Sequence, residues 1–127
     1  MTTFQWFLTI LCFATTAVAQ HPLNKLFEPG FLVEDRNNDG NADYVNVELF
    51  LGEDPNSEII AAAADITVRL GFETMALNLP LTKQKGDVGI AIGATATSAL
   101  GLDLSRLSNE EGLITTIQTS DRDWLVV

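Results

Sequence analysis

The stretch YVNVELFLGEDPNSEIIAAAADITVRLG, residues 44–71, decides the fold. Its first eight residues alternate: Val45, Val47, Leu49 and Leu51 on one side, Tyr44, Asn46, Glu48 and Phe50 on the other. A period of two marks a strand with one face on a core. Gly52 ends the run, and Asp54-Pro55 reads as a helix start, with Asp54 capping the first free amides and Pro55 at the first helical position. Ile59, Ala63, Ile66 and Leu70 then recur at helical spacing, Ala61 to Ala64 offer a slim surface for close packing, and Gly71 stands where a left-handed stop belongs. Phe72 would pack back on that stop, and Asp65 and Arg69, four apart, would pair on the solvent side.

Downstream, Phe72 to Leu81 reads as a second strand carrying Met75, Leu77 and Leu79 and broken at Pro80. Thr82 to Asp87 is a polar loop. Val88-Gly89-Ile90-Ala91-Ile92-Gly93 is apolar throughout, the pattern of a strand covered on both faces. Its glycines do not form a nucleotide loop, because no G-x-G-x-x-G or Walker spacing follows Gly93. Thr95 to Leu100 reads as a short helix or turn ended by Gly101, Leu102 to Leu107 as a short helical piece, and Asn109 to Gly112 as a turn. Leu113 to Thr119, the loop 120–123 and Trp124 to Val127 read as a closing hairpin. The class expected is α+β (α/β-like): a mixed sheet of four to five strands, one main helix packed on it, and a terminal β-hairpin.

Upstream lies Asp35-Arg36-Asn37-Asn38-Asp39-Gly40-Asn41-Ala42-Asp43. Loops of the D-x-[DN]-x-[DN]-G type present oxygens at alternate positions, and calcium takes six to eight oxygen ligands. The ligands expected are the side chains of Asp35, Asn37 and Asp39, a carbonyl of Asn41, and Asp43 directly or through water. Gly40 supplies the turn. An EF-hand needs a helix on each side, whereas Pro29-Gly30 precedes this loop and a strand follows. Its twelfth position is Asn46, not a bidentate Glu, so the affinity expected is modest. The loop is similar to single calcium loops that introduce a strand, as in integrin-type propeller repeats. The competing reading is a turn whose Asx side chains cap its own backbone.

The chain opens on an apolar run, Phe4 to Ala19, shorter than the about 20 residues of a membrane span. Ala17-Val18-Ala19 fits a signal-peptide cleavage site before Gln20, although no Lys or Arg precedes the run; an uncleaved anchor is the alternative. The organisation expected is therefore a signal peptide over 1–19, a lead-in over 20–34 whose Phe27, Phe31 and Leu32 dock on the body, and an α/β domain over 35–127. The destination expected is secreted, periplasmic or cell-envelope. Cys12, the single cysteine, falls within the signal. Disulfides are then excluded as staples for the mature domain, which leaves a metal ion as one available staple. Seventeen acidic residues against seven basic ones give a net charge of −10, which disfavours nucleic acid and anionic membrane surfaces as partners. The chain stops within an apolar strand, which suggests the front part of a longer protein or a truncated product.

Catalytic chemistry is sparse. His21 is the single histidine and lies in the lead-in, which leaves little for a nucleophile–His pair or for zinc. The pairs Glu110/Glu111 and Asp121/Asp123 could in principle serve a glycosidase, but both fall in turns. No catalytic centre is recognisable. Tyr44, Phe50 and Trp124 are the aromatics that could stack on a sugar, core packing being the simpler role.

The order strand, helix ending in Leu70-Gly71, strand, Ile90-Ala91-Ile92-Gly93, Glu111-Gly112-Leu113-Ile114 and Trp124-Leu125-Val126-Val127 resembles the accessory α+β domain that precedes the catalytic barrel in glycoside hydrolases such as hexosaminidases and α-glucuronidases. The resemblance spans about Asp43 to Val127, and the calcium loop is not part of that domain's pattern. It implies a non-catalytic domain with the catalytic part beyond Val127; taken with the calcium loop, the function expected is a secreted, calcium-stabilised module of a larger envelope or carbohydrate-processing protein, with a downstream catalytic domain or carbohydrate as partner. The alternatives are a calcium-dependent adhesion domain, or a hydrolase whose catalytic part lies beyond Val127.

Overall fold

A computed structural model of the chain describes residues 21–76, 78–79, 85–108 and 110–127. The expected signal segment 1–19, Leu77, the break at Pro80 and the first half of the loop after it, residues 82–84, lie outside those residues. The class is α+β, as expected. A short 3-10 turn, Leu23–Lys25, leads to β1 (Val33–Glu34) and β2 (Tyr44–Val45); then come β3 (Val47–Phe50), α1 (Ser57–Glu73), β4 (Val88–Ala91), α2 (Ala94–Ala99), β5 (Thr115–Gln118) and β6 (Asp123–Val126).

Strands β1 and β2 form a two-stranded antiparallel sheet, with Val33 opposite Val45. The larger sheet has the order β3-β4-β6-β5. β3, β4 and β6 run parallel, and β5 closes an antiparallel hairpin with β6. The pleat divides the side chains. Val47, Val88, Ile90, Ile92 and Leu125 pack with Ala63 and Leu70 of α1. On the other face Ala91, Trp124 and Val126 pack with Ala96 of α2 and with Phe50. The two helices therefore cover opposite faces, which is why β4 is buried along its whole length.

The alternation expected for β3 holds, but the strand breaks at Asn46. Its N–H donates to the Leu32 carbonyl at 3.0 Å, while its own carbonyl accepts from Val88 N–H at 3.2 Å. At this residue the chain passes from the small sheet to the large one. The lead-in contributes more than docking. Phe31, Leu32 and Val33 are all buried, and Val33 begins β1, whereas Phe27 stays on the surface.

Four expectations at α1 need correction. Asp54 is not the cap: it sits at φ 51° in the left-handed region. Asn56 takes that place, extended, with Oδ1 accepting from Ile59 N–H at 2.9 Å. Gly71 does not stop the helix, which runs on to Glu73; a Cβ there would sit 3.2 Å from Leu79 Cδ1, so the glycine serves close packing inside the helix. Phe72 consequently does not fold back and is 80% exposed, and Arg69 pairs with Glu73 rather than Asp65.

The strand expected over 72–81 is also absent among the described residues. Met75 N–H donates to Ala42 at 2.9 Å, and the Asn78 side chain bonds Val45 on both its N–H and its carbonyl, at 3.0 and 2.8 Å. A side-chain amide thus does there what a strand would do. Leu102 to Leu107 forms turns, not a helix. Among the described residues no helix is long and apolar enough to cross a membrane.

Candidate metal centre

The loop 35–43 joins β1 to β2, so its ends are held by strand pairing. Arg36 N–H closes it, donating to Asp43 Oδ1 at 2.9 Å. Inside, Asp35 spreads its two oxygens over the turn: Oδ1 accepts from Asp39 N–H at 3.2 Å and Oδ2 from Gly40 N–H at 2.8 Å. Asn37 Oδ1 accepts from Asp39 N–H at 2.9 Å, and Asp39 Oδ1 from Asn41 N–H at 2.8 Å. Asn38 at φ 59° and Gly40 at φ 89° make the two left-handed steps that turn these groups inward. Asparagine tolerates that region because its short side chain bonds locally, and glycine because it has no Cβ.

The structure thus brings Asp35, Asn37, Asp39 and Asn41 together by hydrogen bonds and ties Asp43 to the loop entrance. The amide groups of Asn37 and Asn41 donate to the Asp39 carboxylate at 3.1 and 3.2 Å. Those N–H groups occupy the carboxylate where a cation would. Asp39 is held below the usual carboxylate range, chiefly by the backbone N–H of Asn41 and then by the two amides. Among the described residues no three His, Cys, Asp or Glu side chains gather closely enough to hold a metal by themselves. A cation here would need the amide and carbonyl oxygens as well. The donor set fits one class in particular: carboxylates and amides are hard oxygen ligands, with no nitrogen or sulfur for a transition metal.

Arg36 braces the loop from outside. Its guanidinium lies 3.1 Å from the centroid of the Tyr44 ring and bonds Glu34 at 2.8 Å. Asn46, at the twelfth position, turns away. Its Oδ1 accepts from Asp87 N–H at 2.9 Å and its amide reaches the Asp87 carboxylate at 3.3 Å. It belongs to the strand crossover rather than to the loop.

Most of the remaining candidates have structural partners. His21 stacks on Phe31 with ring centroids 4.2 Å apart. Glu111 accepts from Ser108 N–H, and Asp121 from the Thr119 hydroxyl; both carboxyls are held low by those bonds, the opposite of what a general acid requires. Phe50 and Trp124 meet edge-on at 5.9 Å within the core, and Tyr44 is covered by Arg36, so none of the three offers a bare platform. Among the described residues no buried side-chain nitrogen or oxygen lacks a hydrogen-bond partner. Comparison with family models, curated proteins and solved structures returns no match.

Proposed function

We propose that the chain is a secreted, non-catalytic module stabilised by calcium, serving within a larger envelope or carbohydrate-processing protein. The observation that supports this most is the Asp35–Asp43 loop. Five oxygen-bearing residues at alternate positions lie between two paired strands, with the turn already formed by bonds from Asp35 to the Asp39 and Gly40 amides. Calcium would be held by Asp35, Asn37, Asp39, Asn41 and Asp43, replacing the amide N–H groups that now donate to the Asp39 carboxylate. Its role is that of a staple: the loop fixes the turn between β1 and β2 and so the entry to β2.

The test is thermal unfolding of residues 20–127 in excess calcium and in chelator. At about 100 times the dissociation constant a bound ion adds about 2.7 kcal/mol, a rise of several degrees for a domain of this size. Calcium is expected to raise the melting temperature, magnesium to raise it less, and Asp39→Ala to abolish the rise. An unmutated protein that melts identically with and without calcium would leave the self-capped turn as the correct reading.

A further inference from the structure

Cleavage after Ala17-Val18-Ala19 puts Gln20 at the head of the mature chain, followed by His21 and Pro22. Gln20 lies outside the described residues; its chemistry follows from the sequence, and its setting from the residues after it. Those are tied to the body. The His21 carbonyl accepts from the Thr116 hydroxyl of β5 at 3.1 Å. The His21 ring stacks on Phe31, which is 3% exposed, with centroids 4.2 Å apart. The Pro22 carbonyl accepts from Lys25 N–H at 2.9 Å, at the start of the 3-10 turn Leu23–Lys25. In the mature sequence Gln20 is thus the single residue ahead of this anchored start.

A glutamine with a free α-amine carries a nucleophile and an electrophile in one residue. The α-nitrogen attacks the side-chain carboxamide carbon and closes an unstrained lactam. The bond from the α-nitrogen to Cδ forms, the bond from Cδ to Nε2 breaks, and ammonia leaves with the proton that the amine gives up. No oxidant, reductant or co-reactant is consumed. The amine must be unprotonated, and the ordinary α-amino pKa of about 7.7–8.0 leaves part of it so at neutral pH. We propose that the mature chain begins with pyroglutamate at position 20, formed by this step. The proposal rests on the reading of residues 1–19 as a removed leader. Its consequence is a closed end. Cyclisation removes the amine that aminopeptidases require, together with its positive charge. Behind the ring, His21 is joined to Pro22 through a tertiary amide, a poor substrate for the same peptidases. The Thr116 and Phe31 contacts hold that bond against the body. For an exported domain without disulfides, this limits degradation that starts at the terminus.

The test is secretion of the full chain with its own leader, followed by intact and tandem mass spectrometry of the exported protein. The chain expected starts at residue 20, is lighter than its sequence mass by one ammonia, and takes no amine label at its N-terminus. Pyroglutamyl peptidase on the denatured protein should release the ring and expose the His21 amine. Gln20→Ala, exported in the same way, should keep its full sequence mass and take the label. Aminopeptidase should then remove the first residue of that variant and none from the unmutated protein. A chain that starts at residue 20 with its ammonia retained and its amine free would overturn the proposal and leave the leader reading standing. A chain that retains residues 1–19, or starts at any other residue, would overturn the cleavage assignment and the proposal with it.

Discussion

Trp124 lies across Gly89, its partner in the parallel register of β4 and β6, so closely that a Cβ on Gly89 would run into ring carbons Cε3 and Cζ3. Glycine inside a strand costs backbone entropy and often marks a close approach. Here the approach is an indole, fixed by an Nε1–H bond to the Thr119 hydroxyl at 3.1 Å and by the edge of Phe50. Gly89→Ala should therefore destabilise by about 1–3 kcal/mol through overpacking. Combined with Trp124→Leu, the loss should be smaller than the sum of the two single losses, because the shorter side chain vacates the space. Chemical denaturation of the four proteins gives the coupling directly.

Asn78 replaces a strand. Its amide bonds both the N–H and the carbonyl of Val45, in the segment where β2 passes into β3. Asn78→Ala removes both bonds and should cost about 1–3 kcal/mol. Asn78→Asp keeps the acceptor and loses the donor, and should fall between the two. Equal melting temperatures for all three proteins would show that the segment after α1 contributes nothing to holding β2.

The start of α1 offers a third check. Asn56→Ala removes the cap on Ile59 N–H and should cost about 1 kcal/mol, whereas Asn56→Ser retains an acceptor and should lose much less. Asp54, two residues earlier, holds a left-handed φ of 51°. Asp54→Gly relieves that conformation and should leave the melting temperature unchanged or raised. If Asp54 were the cap, the two sites would behave the other way round.

These residues also show what could be read from the chain alone. β4, α2 and the β5–β6 hairpin were legible because their cues are local: a short apolar run, a small helix after Gly93, and two apolar stretches around a polar turn. The helix boundaries were not. Gly71 looks like a stop in sequence, but the helix continues to Glu73 and Leu79 packs where a Cβ on Gly71 would stand, a contact that depends on how the chain folds back after the helix. Asp54-Pro55 mimics a cap, yet the chain spends Asp54 on a left-handed turn and caps with Asn56. The alternation of Met75, Leu77 and Leu79 suggested a strand, but the described part of that segment is held by the Met75 N–H on Ala42 and by the Asn78 side chain on Val45. The loop at Asp35–Asp43 was legible through its spacing.

Acid sensitivity of the loop can be isolated with one substitution. The Asn41 N–H holds the Asp39 carboxyl below its ordinary value, helped by the amides of Asn37 and Asn41. A carboxyl lowered on folding stabilises the folded state at every pH above its unfolded value, about 3.9 for Asp, and that contribution disappears as pH falls through the lower folded value. Asp39→Asn keeps an oxygen to accept from Asn41 but removes the charge. In chelated buffer, the melting temperature of the unmutated protein should exceed that of Asp39→Asn by a constant margin above about pH 5, and the margin should close below about pH 4. Other carboxyls titrate in both proteins alike, so the difference reports Asp39. A margin that stays constant down to pH 2, or widens on acidification, would mean that the charge on Asp39 does not hold this turn together.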